Sequence, residues 1–199
     1  MIPTTGYAVL GLLSFGESLS GYDLKRWADH SLRYFFWSPA QSAIYTELRR
    51  LEELGLVRRS GGVGGPRNRQ RYRITAAGRR ALSDWVGSSP TPTTVVKEHA
   101  LVKVWLGHMT DRDALTEVVA TEQRAAEDLL GEIRYSVERS GATGHPAVVL
   151  VERYCERMAA ARVDALTELE QALADLPDDG RQWSDPSARM GPPDREDFA

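Results

Sequence analysis

Apolar residues recur at steps of three and four along most of this chain, the mark of helices, and alternate at a step of two in one stretch only. Thr4 to Ser14 carries Tyr7, Ala8, Val9, Leu10, Leu12 and Leu13 and is apolar all round, as a helix is when it is buried in a core or a dimer contact. Gly16 to Ser20 reads as a turn. Ser20 then caps a second helix over Gly21 to Leu32, with Tyr22, Leu24, Trp27 and Ala28 as its apolar set. Tyr34-Phe35-Phe36-Trp37 is an aromatic connector, either a hydrophobic plug beneath the next helix or part of an effector pocket. The third helix spans Ser38 to Leu56. Ser38 is its expected N-cap, Pro39 suits the first helical position, and Gly55 suits the residue just past the end. Ile44, Leu48 and Leu51 share one face and can enter a core, while Gln41, Ser42, Tyr45, Thr46 and Arg49 lie on the opposite side.

The step-of-two stretch follows. Leu56 to Ser60 predicts a strand, Gly61 to Asn68 a glycine-rich loop, and Arg69 to Thr75 a second strand, together a β-hairpin. Arg67, Arg69, Arg71 and Arg73 fall at every second position, with Tyr72 and Ile74 between, so a strand sends the arginines to one face and the apolar residues to the other. Arginines without an acid across Arg67–Arg73 point to phosphate contact; the alternative is a solvated edge that resists aggregation. The loop has no Gly-Lys-Ser/Thr and no strand-then-helix setting, so it is not a nucleotide cradle. Thr75 caps a fourth helix, Ala76 to Val86, with Leu82, Trp85 and Val86. Helix, helix, helix, hairpin, helix is the order of a winged helix-turn-helix, whose third helix enters the major groove.

Gly87 to Thr94 is a Pro/Ser/Thr linker. Beyond it, Val95 to Leu106 predicts a helix, with Ala100, Leu101, Val104 and Trp105 among its apolar residues. Thr110 opens a long one that Ser140 to Pro146 breaks, and Val148 to Leu176 forms the last, with Cys155, Met158, Arg162, Ala165, Leu169, Ala172 and Leu176 in its seam. Two long helices with a short break make an antiparallel hairpin that cannot bury both apolar faces alone, so a second copy is the expected partner. The fold class is mainly α with a small β-hairpin: a winged helix-turn-helix over 1–87, a helical dimerisation domain over 95–176, and an acidic flexible tail over 177–199.

Composition sharpens this picture. With 42% hydrophobic and 27% charged residues the chain is that of a soluble globular protein. No run approaches the roughly 20 apolar residues of a membrane span, and Met1 to Gly16 lacks the positive start of a secretory signal, so no membrane and a cytoplasmic location are expected. The net charge of −3 argues against nucleic acid, but residues 1–87 hold 13 Lys+Arg against 7 Asp+Glu (+6), and residues 88–199 hold 12 against 21 (−9). Such a split is expected where one half meets a polyanion, or where the halves attract each other. His30, His99, His108 and His145 are scattered, so neither a metal nor a cofactor is expected. No spacing suggests a nucleophile, so no enzyme is expected. Cys155 is the only cysteine and reads as a small buried hydrophobe. Trp85 and Trp105, with Trp37, are candidates for an aromatic effector site between the domains, against ordinary core packing.

Several pieces together resemble the PadR family of bacterial transcriptional regulators: Val9-Leu10-Gly11-Leu12-Leu13, Ser20-Gly21-Tyr22-Asp23-Leu24, Ser38 to Glu52, Leu54-Gly55-Leu56-Val57, and Arg71-Tyr72-Arg73-Ile74-Thr75 with Gly78. Glu98 to Gly107 and His145 to Leu173 resemble, more loosely, the helical domain of the longer, virulence-activator-type members. The resemblance implies a dimeric repressor that binds double-stranded operator DNA and is relieved by a small aromatic compound. By position it implies Ser38, Gln41, Ser42, Tyr45, Thr46 and Arg49 at the groove, Lys25 near the backbone, and Arg67, Arg69 and Arg71 on the wing. The family commonly has proline where Thr46 stands. The alternative function is a winged-helix protein-interaction module or co-regulator without sequence-specific DNA binding.

Overall fold

The computed structural model describes residues 2–16, 18–60, 70–88, 91, 93–143 and 145–176, and the chain divides into two compact units between Thr93 and Thr94. The N-terminal unit runs α1 (Thr4–Ser14), β1 (Leu19–Ser20), α2 (Gly21–Asp29), a 3-10 turn (Leu32–Tyr34), α3 (Gln41–Glu53), β2 (Val57–Ser60), β3 (Arg71–Ile74) and α4 (Ala76–Val86). Its core is the apolar set read from the spacing: Leu10, Leu13, Leu24, Ile44, Leu48, Leu51 and Val57 are all essentially closed to water.

Local chemistry sets the element ends. Ser20 Oγ accepts from the Asp23 backbone N–H, and the Asp23 carboxylate accepts from the Ser20 N–H, a capping box that starts α2. Gly55 takes φ 68°, and the N–H groups of Gly55 and Leu56 donate to the carbonyls of Glu52 and Leu51. These two bonds are a Schellman motif, which stops α3 and turns the chain into β2.

The sheet is antiparallel in the order β1-β3-β2. Tyr72 and Ile74 are buried while Arg71 and Arg73 are exposed, as the alternation predicts. Arg67 and Arg69 lie outside the described residues. One expectation is corrected here: Gly16–Ser20 is not a turn throughout, because Leu19 and Ser20 pair with Tyr72 and Arg71 and add a third strand. A second correction concerns the aromatic connector. Phe35, Phe36 and Trp37 are about half exposed, so they do not form a buried plug. The 3-10 turn directs Leu32 to the core and leaves the next three rings at the surface.

The C-terminal unit holds α5 (His99–Trp105), a 3-10 turn (Gly107–Met109), α6 (Arg112–Thr143) and α7 (Pro146–Ala174). Asp111, not Thr110, starts α6, its carboxylate accepting from the Ala114 N–H at 2.8 Å. The helix continues through Ser140 to Thr143, so the break before α7 is shorter than the sequence suggests. Hydrogen bonds from Arg112 to the Leu176 carbonyl, from Gln123 to Thr167 and from Arg134 to Glu156 make α6 and α7 antiparallel. The buried line of α7 is Cys155, Ala159, Leu166 and Leu173, so the expected seam is partly wrong: Met158, Ala165 and Ala172 face outward. Both lines keep steps of three and four on a broadly apolar helix, and periodicity alone cannot choose between them. Arg162 stays in the hairpin because acids meet it. It bonds Glu98 through two nitrogens, both at 2.9 Å, and Glu122 at 3.0 Å.

Burial pushes the Cys155 thiol above its ordinary value, and the Glu152 carboxylate adds to the effect. The thiolate, which is the reactive form, is therefore scarce at neutral pH. Native protein is expected to resist alkylation by iodoacetamide and to react promptly once unfolded in urea. Labelling at equal rates in both states, read by intact-mass spectrometry, would contradict the buried placement.

Candidate nucleic-acid interface

The surface is built on α3. Ile44, Leu48 and Leu51 anchor one face in the core, which leaves Gln41, Ser42, Tyr45, Thr46 and Arg49 exposed together on the other. A buried apolar anchor under a polar face holds donors and acceptors at fixed positions, as base-edge readout requires. Thr46 Oγ1 donates to the Ser42 carbonyl at 3.0 Å. With its proton committed, Thr46 turns an acceptor lone pair and a methyl group outward. Tyr45 lies against the first residue of α2. A Cβ on Gly21 would sit 2.6 Å from its ring, so the glycine makes room for the tyrosine.

The entry to α3 differs from expectation. The helix starts at Gln41, and Ala40, not Ser38, occupies the cap position, with no side-chain bond. The Ser38 hydroxyl instead donates to the Asp29 carboxylate and accepts from Lys25 Nζ at 2.9 Å, while Lys25 also pairs with Asp29. Lys25, Asp29 and Ser38 thus tie the end of α2 to the segment before α3, and the charge of Lys25 is already matched. The Lys25 hydrogen bond, followed by that of Ser38, holds the Asp29 carboxyl below its ordinary value. The tie is therefore complete at neutral pH and is lost only as pH falls through that lowered value.

The hairpin beside α3 adds cations. Arg58 on β2 stands directly opposite Arg73 on β3, and both are exposed. Arg59 points to the other face and pairs with Glu52 of α3 at 3.0 Å. Arg71 donates from Nε to Ser18 Oγ at 3.1 Å and from Nη2 to the Ser18 carbonyl at 2.5 Å, which fixes its guanidinium at the base of the hairpin. Sequence reasoning overlooked Arg58, although its place in Val57-Arg58-Arg59-Ser60 becomes plain once the register is known. It also overlooked Glu47, a buried acid on α3 that pairs with Arg50 at 3.1 Å and reaches the first turn of α1 beside Gly6.

The three tryptophans singled out from the sequence are not alike. Trp85 stacks on Tyr7 with ring centres 4.6 Å apart and an interplanar angle of 8°. Together they border an apolar cleft of about 490 Å³, lined also by Leu12, Phe35, Phe36 and Leu82. Trp37 does not line this cleft; it is half exposed and meets Phe36 edge-on. Trp105 belongs to the C-terminal unit and is 71% exposed.

Comparison with known proteins decides the family. The model of the PadR-like family of transcriptional regulators matches residues 9–84. The negative transcriptional regulator PadR of Bacillus subtilis is 30% identical over 142 residues, 70% of this chain and 76% of that protein. The chain belongs to the PadR-like family of transcriptional regulators. Crystal structures of Bacillus subtilis PadR share its fold. The complex with operator DNA matches at TM-score 0.74 and 24% identity, covering 86% of this chain and 99% of that one. The complex with p-coumaric acid matches at 0.67 and 23%, covering 86% and 95%.

Proposed function

We propose that this PadR-like regulator is a repressor that binds operator DNA as a homodimer and lets go when a small aromatic compound binds. The observation that carries the reading is the exposed polar face of α3 beside the outward arginines of the hairpin. Gln41, Ser42, Tyr45, Thr46 and Arg49 read base edges, and Arg58, Arg71 and Arg73 meet phosphates, with Arg67 and Arg69 continuing that run in sequence. Supporting a second copy, α7 exposes Leu150, Tyr154 and Met158 in one stripe, and α5 exposes Leu101 and Trp105. Apolar side chains at helical spacing in water call for a partner. Half-sites then lie about 34 Å apart, one DNA turn. The cleft at Tyr7 and Trp85 suits the flat ring of an aromatic effector, and the relative solved with p-coumaric acid supports an aromatic class.

The test is binding to the DNA upstream of the protein's own coding region across a salt series. Affinity is expected to fall steeply with salt. Arg58→Ala and Arg71→Ala should each flatten the log–log slope by about 0.9, because one phosphate fewer is neutralised and its counterion is no longer released. These variants should weaken binding to all sequences alike. Binding that is absent at low salt would instead favour a winged helix that docks proteins.

A further inference from the structure

A cationic cleft that shares Arg71 with the hairpin lies outside the α3 set. Between α2 and the sheet is a cleft of about 480 Å³ lined by Leu19, Asp23, Arg26, Trp27, His30 and Arg71. Asp23, Arg26, Trp27 and His30 are spaced 3, 1 and 3 apart, so one face of α2 brings them together. The Asp23 carboxylate is taken up by Ser20, accepting from its N–H and its hydroxyl. Among the described residues, Arg71 engages two of its five N–H donors, both on Ser18. Arg26 is exposed. The cleft therefore offers cationic donors above a floor of Leu19 and Trp27.

His30 adds a condition. Its Nδ1 lies 2.7 Å from the Arg26 carbonyl oxygen. A carbonyl oxygen only accepts, so Nδ1 carries the proton, and the neutral ring presents a bare lone pair at Nε2. That nitrogen repels an anion until it takes up a proton. The charged groups around it are Asp23 and Arg26 on α2, Arg71 on β3, and Asp29, whose carboxylate is engaged by Lys25 and Ser38.

A short run of residues links the cleft to α3. Tyr45 packs on Gly21, Gly21 follows Ser20, and Ser20 pairs across the sheet with Arg71. We propose that this cleft seats a DNA phosphodiester beside the groove-reading helix, with Arg26 and Arg71 as standing cations and His30 as a proton-dependent third. The inference rests on the DNA-binding reading above and extends it: binding takes up a proton at His30, so the regulator holds DNA more tightly in mildly acidic solution.

The experiment compares wild type with Arg26→Ala and His30→Gln on the same operator duplex, at pH 6 and pH 8, each across a salt series. Both positions are exposed, so the variants should fold, which circular dichroism checks. Wild type is expected to bind several-fold more tightly at pH 6 than at pH 8. Its salt slope should be steeper at pH 6 by up to about 0.9. His30→Gln should remove both differences, and Arg26→Ala should flatten the slope at both pH values. Wild type that binds with steep salt dependence but shows slopes and pH response unchanged in both variants overturns this inference alone. Wild type that shows no salt-dependent binding overturns the DNA-binding reading and this inference with it.

Discussion

Gly78→Ala is expected to destabilise the N-terminal unit by about 2–4 kcal/mol, the largest effect from adding a single methyl group anywhere in the described fold. Gly78 sits in the first turn of α4, where an added Cβ would lie 2.1 Å from the Leu56 carbonyl oxygen and 2.9 Å from the Ile74 side chain. Backbone cannot step aside as a side-chain tip can, and this backbone is held by a knot. The Thr75 N–H donates to the Leu56 carbonyl at 3.0 Å. The Thr75 hydroxyl bonds the carbonyls of Gly55 and Leu56, and it accepts from the Gly78 N–H at 3.0 Å. The knot joins the end of α3, the start of β2 and the first turn of α4, so pushing them apart opens the core beneath Leu51 and Val57. For a domain of this size the melting temperature should drop by roughly 10–20 °C, as thermal circular dichroism would read. A drop of under about 2 °C would mean that the α4 entry is looser than the close approach implies. Gly11→Ala is the control, because a Cβ there meets nothing within 4 Å.

How much is legible in the sequence follows from the range of each signal. The end of α3 is readable because a Schellman stop is local: glycine, αL geometry and two carbonyls all lie within six residues. The hairpin is readable because Arg71–Ile74 alternates strictly and one face must be dry. The start of α3 misleads because Ser38-Pro39 carries a local cap signal while a distant group, Asp29, claims the hydroxyl. Strand β1 has only two residues and hence no period, and it exists because β3 has an edge to offer. The α7 seam is only half readable because two apolar stripes compete on one helix and only packing against α6 selects between them. The exposed polar set of α3 is legible for a simple reason: naming the buried face names the opposite one. Arg58, Arg26 and His30 are not, because each becomes part of a surface only through strand register or through a cleft between elements.

The second large effect should come from moving Tyr45 without touching it. Gly21→Ala places a methyl group 2.6 Å from two ring carbons of Tyr45 and 2.9 Å from its hydroxyl. Here, unlike at Gly78, the neighbour is the far end of a flexible side chain at an exposed position, so the ring can swing away at little cost in stability. The melting temperature should change by only a few degrees. Operator affinity should nevertheless fall by about tenfold, in the range of about 1–3 kcal/mol for one base-edge contact, while affinity for unrelated duplex changes little. Tyr45→Ala should do the same directly. Two outcomes then separate a reading role from a packing role. If Tyr45 reads a base and Gly21 acts only by giving it room, the double variant should bind no worse than Tyr45→Ala alone, a coupling close to the whole single-variant effect. If Gly21 acts through its own backbone, for instance by letting a phosphate approach the start of α2, the two effects should add. Uniform weakening on operator and unrelated DNA would assign Tyr45 to holding α2 against α3, and base reading would then pass to Gln41, Ser42, Thr46 and Arg49.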